Sequence, residues 1–346
     1  MALLQDTKSH NFLCLKAAFL ALEPANCFIS LARQTCGGSL SEEVQNFILE
    51  LCVENSVHSD ILFNSTYVKN ILKKVIVAAE STCEVVVEGL YERFAKISAL
   101  QEYVMRGEEN KIFKKISFLF PFGTSHQSCL TNLVVSLHCS LNLLEGDTGC
   151  ALWPSSLFLS EFILSYPKLF SEKVCFEVGS GVGLVGVALA HVGASKVILT
   201  DGDRSSLGNM QHNLELNHLT SDKVHIQYLP WEYATEIELS KYKHDCVLGA
   251  DIIYDPKCVP HLIRVLCMLL KSKGGFMFAE ETEASVAYIA TVIRNKETFN
   301  YFIGAAEEAH LSIVDVTENQ QPLNLLPYML SYDRASVRLC KISYLF

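Results

Sequence analysis

A chain of 346 residues exceeds the ~100 to 200 residues of one usual domain, so it has room for a catalytic core and an appended module. Half of its residues are hydrophobic and 19% are charged, which excludes a disordered chain and predicts a sizeable core. A formal net charge of -10 argues against general affinity for the phosphate backbone of nucleic acids and suits a basic protein partner better.

Thirteen cysteines, an odd number, stand nowhere in a C-x-x-C spacing between Cys14 and Cys340. Reduced thiols are the simpler reading, and Cys175 and Cys267 lie in apolar runs where cysteine acts as a small hydrophobe. That usage predicts a reducing compartment, the cytoplasm or nucleus. Asp6 and the short stretch Ala17 to Leu22 make a poor secretory leader, and no run of ~18 apolar residues is available to span a membrane. No His, Cys and carboxylate group has metal-ligand spacing, so no metal is expected.

In chain order, the first hundred residues read as helices. Ser39-Leu40-Ser41-Glu42 fits a capping box, followed by Val44, Phe47, Ile48 and Leu51 at helical spacing. A second helix is predicted from Ser65 to Ala79, with Val68, Ile71, Leu72, Val75 and Ile76 on one side and Lys69, Lys73 and Lys74 on the other. The charged stretch Arg106 to Lys115 reads as a linker, so a helical N-terminal domain is placed at residues 1–105 and a second domain at 106–346. From about residue 174, β-branched runs alternate with helical stretches, which predicts an α/β class with a parallel sheet. The expected strands are Val174 to Val178, Lys196 to Thr200, Val224 to Leu229, Asp245 to Ile253 and Val286 to Ile293. Leu311 to Val316 and Ser336 to Tyr344 close the sheet, the last antiparallel because its approach through Pro327 and Asp333 is turn-rich.

The run from Val174 to Gly183 is an apolar strand entering a glycine-rich turn, with a helix from Leu184 to His191 behind it. Glycines suit such a turn because side chains would block close approach of the backbone to a ligand. Gly181, Gly183 and Gly186 satisfy G-x-G-x-x-G, so a dinucleotide site is one reading. The other is a nucleoside cofactor with a cationic end: the glycines also run G-x-G-x-G from Gly179, and Glu177 stands two positions before them as a carboxylate for that cation. Glu177 at the strand end, capping a helix or solvated, is the plainer alternative. Asp201, after the second strand, offers a carboxylate to two ribose hydroxyls, with Asp203 near enough to compete. Trp231, after the third strand, can cover an adenine face or simply pack.

The fourth strand ends in Asp251-Ile252-Ile253-Tyr254, a D-x-x-Y arrangement that, behind such a loop, resembles the seven-strand protein-lysine methyltransferases. Thr148-Gly149-Cys150-Ala151-Leu152-Trp153-Pro154 resembles that family's lead-in, so the likeness covers residues ~148 to 346. Asp60 to Phe94, Val292 to Thr298 and Ser331 to Arg334 carry a closer likeness to the branch that methylates a lysine of translation elongation factor 2 and has its own helical N-terminal domain. The resemblance implies a Rossmann-like seven-stranded domain that uses S-adenosyl-L-methionine. It implies cofactor contacts from Trp153, Gly179, Ser180, Gly181, Asp201, Trp231 and Ala250, with Asp251 and Tyr254 facing the substrate lysine. Val178 and Val182 depart from the family's more frequent Leu and Thr or Ala. A same-fold methyltransferase of another substrate class, and a non-catalytic interaction protein retaining the fold, are the competing readings.

Overall fold

The computed structural model describes residues 2–54, 65–104, 111–121, 132–140, 148–219, 222–271 and 285–345. The chain divides into two compact units. One comprises Met1–Thr124, Asn132–Leu141 and Leu326–Tyr332, the other Ser125–Thr131, Asn142–Leu325 and Asp333–Phe346.

The first unit holds α1 (Ala2–Leu20), α2 (Ala25–Thr35), α3 (Glu42–Glu54), α4 (Ser65–Ser81) and α5 (Glu88–Val104), then an antiparallel pair, β1 (Lys111–Phe118) and β2 (Leu133–Ser140). The expected spacing holds in α4: Val68, Ile71, Leu72, Val75 and Ile76 are buried, while Lys73 and Lys74 are exposed. The expected capping box does not form. Helix α3 starts at Glu42, and the Ser41 hydroxyl has no hydrogen-bond partner. Gln45 ties the region down instead, its Nε2 donating to the Leu40 and Val85 carbonyls and its Oε1 accepting from Val87 N. The boundary expected near residue 106 lies outside the described residues. Lys111 to Lys115, expected within a linker, instead begin strand β1. Tyr328 is fully buried in this unit, its hydroxyl accepting from Ser117 N at 2.8 Å.

The second unit carries α6 (Pro154–Ser165), β3 (Val174–Val178), α7 (Leu184–His191), β4 (Lys196–Asp201), α8 (Arg204–Leu216) and β5 (Val224–Tyr228). There follow α9 (Glu236–Leu239), β6 (Cys246–Ala250), α10 (Val259–Leu270), β7 (Val286–Val292), α11 (Lys296–Glu308), β8 (Leu311–Asp315) and β9 (Val337–Tyr344). Its seven strands run in the order β5-β4-β3-β6-β7-β9-β8. The first five are parallel, and β9 lies antiparallel between β7 and β8, as its turn-rich approach predicts. Strand β6 is shorter than expected, ending at Ala250 because Asp251 turns to φ 58°. Phe176, Val247, Leu266, Ile289 and Phe302 lie in one buried cluster between sheet and helices. Apolar burial of this kind contributes about 25 cal/mol per Å² and supplies most of the sheet's stability.

A buried charge fixes the chain ahead of β9. Glu161 of α6 is fully buried, with Oε2 3.0 Å from Arg334 Nε and Oε1 accepting from Leu325 N at 2.7 Å. Removing one partner of such a pair strands the other, so Glu161→Ala is expected to cost about 3 kcal/mol, roughly 6 to 12 °C in Tm. Thermal unfolding checks this; an unchanged midpoint would mean that water satisfies Arg334 and Leu325 as well as Glu161 does.

Candidate active site

Each of the five parallel strands delivers a polar or flexible element at its carboxyl end, because a parallel sheet points all its strand ends to one edge. Strand β3 leads into Gly179 to Gly183, β4 ends at Asp201, β5 is followed by Trp231, β6 by Asp251 and β7 by Arg294. The chain turns from one half of the sheet to the other between β3 and β6, where open sheets of this type leave a crevice.

Gly179 and Gly181 have φ of +69° and +52°. A Cβ at Gly181 would stand 3.0 Å from the Gly149 carbonyl oxygen, and one at Gly179 would stand 2.8 Å from Ile252 Cγ2. The loop must therefore be bare of side chains at both positions. Ser180 holds it against β4: Ser180 N donates to the Thr200 carbonyl at 2.8 Å, and Thr200 N donates to Ser180 Oγ at 3.1 Å.

A cavity of about 450 Å³ opens above this loop. Trp153, Gly179, Gly181, Asp201, Trp231, Ala250, Asp251 and Tyr254 all line it; of the residues expected at the site, Glu177 and Ser180 do not. Asp201 Oδ2 accepts from Gly181 N and Oδ1 from Asp203 N, both at 3.0 Å. These amides orient the carboxylate and oppose the upward push that burial gives its pKa. Asp203 is occupied elsewhere. Its carboxylate caps α8, accepting from Ser206 N at 2.8 Å and from the Ser205 and Ser206 hydroxyls at 2.5 and 2.9 Å. Between the two competing aspartates, Asp201 is thus the one turned to the glycine loop.

Glu177 is 1% exposed, and its Oε2 has no hydrogen-bond partner. Burial drives its pKa well above the usual carboxylate range, with the nearby Asp201 charge adding to the rise. A buried acid with an orphaned oxygen, one strand residue before the loop, fits a cofactor that brings a positive charge, because a cation favours the ionised carboxyl. The cavity has the same character: Asp201, Asp203, Glu232 and Asp251 line it, against Arg294 as the one cation among its described lining residues.

Arg294 also lines the cavity, outside the set of residues expected from the sequence. Its Nη1 and Nη2 donate to Asp251 Oδ1 and Oδ2 at 2.9 and 2.7 Å, a bidentate pair in which Asp251 is almost fully buried and Arg294 is about half exposed. The guanidinium also lies over the Trp153 ring, 5.0 Å from its centroid, and Trp153 Nε1 donates to the Thr148 carbonyl at 2.9 Å. The one sequence signal was an arginine directly after an apolar strand, in the stretch Val292 to Thr298 already noted for its likeness. Thr148, Gly149, Ser206, Glu232 and Cys258 are among the other lining residues beyond the expected set. Tyr254 is 58% exposed at the same cavity, so its ring is free to meet a ligand arriving from solvent. Among the described residues no group of His, Cys, Asp and Glu could hold a metal ion. No helix among them is long and apolar enough to cross a membrane.

Residues 136–299 match the family described as lysine methyltransferase. A Dictyostelium discoideum protein of uncharacterized function is similar, at 34% identity over 221 residues, 56% of this chain and 58% of that protein. The protein-lysine N-methyltransferase EEF2KMT of Homo sapiens is 27% identical over 284 residues, 79% of each chain. The protein-lysine N-methyltransferase EFM3 of Chaetomium thermophilum is 34% identical over 181 residues, 50% of this chain and 51% of that one. The chain thus spans little more than half the length of two of these relatives and about four-fifths of the other.

Proposed function

We propose that this chain, whose residues 136–299 match the lysine methyltransferase family, is a protein-lysine methyltransferase with S-adenosylmethionine as its methyl donor, and that it methylates a lysine of translation elongation factor 2. The observation that carries the reading is the acidic cavity at the sheet edge, where a bare glycine loop, Asp201 and the D-x-x-Y residues Asp251 and Tyr254 stand together. The elongation-factor target is supported by the likeness to EEF2KMT over most of the chain and by a helical region outside the sheet domain. We place that helical region, residues 1–105, as the part that engages a large folded protein, and the cytoplasm, where cysteines stay reduced, as the site of action.

When bound, S-adenosylmethionine supplies an electrophilic methyl group on a cationic sulfonium. The chain's residues divide the remaining work. Asp201 answers the ribose hydroxyls and the Trp231 indole forms a flat wall for the base, while Glu177, buried behind the glycine loop and outside the cavity lining, acts on the cationic end of the donor through its charge and not by direct contact. For displacement the lysine must arrive neutral and in line, and near pH 7.4 only about one part in a thousand of a free lysine is neutral, a deficit of ~4 kcal/mol. Asp251 accepts a hydrogen bond from the amine and orients it; a carboxylate with four lone-pair sites has room for this beside Arg294. Tyr254 lines the amine's approach with its ring, where a methylated amine gains a cation-π attraction.

The test is transfer of labelled methyl from S-adenosylmethionine to purified elongation factor 2 and, in parallel, to a whole-cell protein extract. One methylated lysine peptide from elongation factor 2, located by mass spectrometry, is the expected result. Label on a different extract protein alone would move the substrate; label in nucleic acid or small molecules alone would overturn the protein-substrate reading.

A further inference from the structure

We propose that Arg294 is a positioning residue for methyl transfer that cancels the charge of Asp251, so that Asp251 can orient the acceptor lysine without holding it as an ammonium ion. The inference rests on the lysine-transfer reading and assigns a role to a residue outside the expected site. Physically, the mechanism asks two opposed things of Asp251. Its lone pairs must face the amine, yet an uncompensated carboxylate a few ångströms from an amine favours the protonated form, which cannot attack.

The bidentate pair resolves this conflict. Both Asp251 oxygens are held by Arg294, at 2.9 and 2.7 Å, so the pair is close to neutral while the carboxylate keeps its acceptor sites. The guanidinium is a dependable counter-charge because it does not deprotonate in proteins. Its place is fixed from several sides. Asp251 N donates to the Ala290 carbonyl at 2.9 Å, and Val292 N lies 3.4 Å from Asp251 Oδ1, so the carboxylate side chain continues the ladder between β6 and β7. Arg294 N donates to the Val292 carbonyl at 2.9 Å, and the next residue, Asn295, caps α11 by accepting from Glu297 N and Thr298 N. The guanidinium is thus anchored between a strand end and a helix cap and lies over the Trp153 ring.

Other titratable groups face the same cavity: Asp201 at the end of β4, Asp203 from the turn between β4 and α8, Glu232 from beyond β5, and Tyr254 and Cys258 from the segment between β6 and α10. The three carboxylates among them all favour an ammonium, and Arg294 is the one opposing cation among the described lining residues. Losing Arg294 therefore raises the apparent pKa of the bound lysine.

The experiment measures methyl transfer to purified elongation factor 2 over roughly pH 6 to 10, the span that ends near lysine's own pKa. Wild type, Arg294→Met and Arg294→Lys are compared, with calorimetric binding of S-adenosylhomocysteine as the control for folding and cofactor affinity. Arg294→Met is expected to shift the rate profile alkaline by about one unit, so that it is about tenfold slower near pH 7.5 and recovers toward wild type at the alkaline end. Arg294→Lys, which keeps the charge and loses the fork, is expected to lower the maximal rate with little shift of the profile. An Arg294→Met rate reduced by one factor at every pH would make the residue merely structural and overturn the proposal, as would loss of S-adenosylhomocysteine binding in that variant. If wild type binds S-adenosylhomocysteine and transfers methyl to no protein, the lysine-transfer reading falls, and this role falls with it.

Discussion

Gly181→Arg is expected to abolish binding of S-adenosylhomocysteine while leaving a folded protein. Two effects act together. At φ +52° any L side chain is strained by about 1–2 kcal/mol, and a Cβ there already meets the Gly149 carbonyl at 3.0 Å. Beyond Cβ, the arginine side chain has the cavity of about 450 Å³ to enter, and the guanidinium has Asp201 within the same lining to pair with. The strain alone should lower Tm by only a few degrees, so circular dichroism separates folded variant from misfolded. In calorimetry, wild type should show saturable heat and the variant none. A folded variant that still bound within several-fold of wild type would place the cofactor away from the glycine loop and sink the assignment of this edge.

Asp251→Ala is expected to slow methyl transfer by about 100-fold or more, in the range of losses seen when a positioned proton-transfer or orienting group is removed. Affinity for S-adenosylhomocysteine should stay within a few fold, because the glycine loop, Asp201 and Trp231 are untouched. Some stability should also be lost: Asp251 sits at φ +58°, which aspartate tolerates better than alanine, and its removal leaves Arg294 without its carboxylate. Asp251→Asn separates these effects, since asparagine tolerates the same backbone and keeps an acceptor. Steady-state rates beside unfolding midpoints decide the matter; a fully active Asp251→Ala would reduce Asp251 to holding the turn after β6.

The two variants probe different kinds of residue, one set by its neighbours in sequence and the other by a partner distant in sequence. The glycine loop is local. An apolar strand, positive-φ glycines and an apolar helix follow one another between Val174 and His191, and helix α7 spans Leu184–His191 as expected. Asp251 was legible as a strand-end residue, but its partner was not. Arg294 lies 43 positions away in sequence and reaches Asp251 only because β6 and β7 are neighbours in register, with Ala250 opposite Ala290.

By itself, then, the sequence determined what depends on short spacing: the helical faces of α3 and α4, the strand extents within a few residues, the bare loop, and the carboxylates at the ends of β4 and β6. Alternation and helical periodicity are properties of adjacent residues, so the chain carries them before it folds. The tertiary structure decided which groups are already spent and which meet. It gave Asp203 to the cap of α8, replaced the expected Ser39 capping box by the Gln45 bridge, paired β1 with β2 across a charged stretch, and closed Arg294 onto Asp251 over Trp153. Each of these rests on hydrogen bonds, charge or ring contacts between groups brought close by burial and strand order, and no local pattern specifies such a meeting.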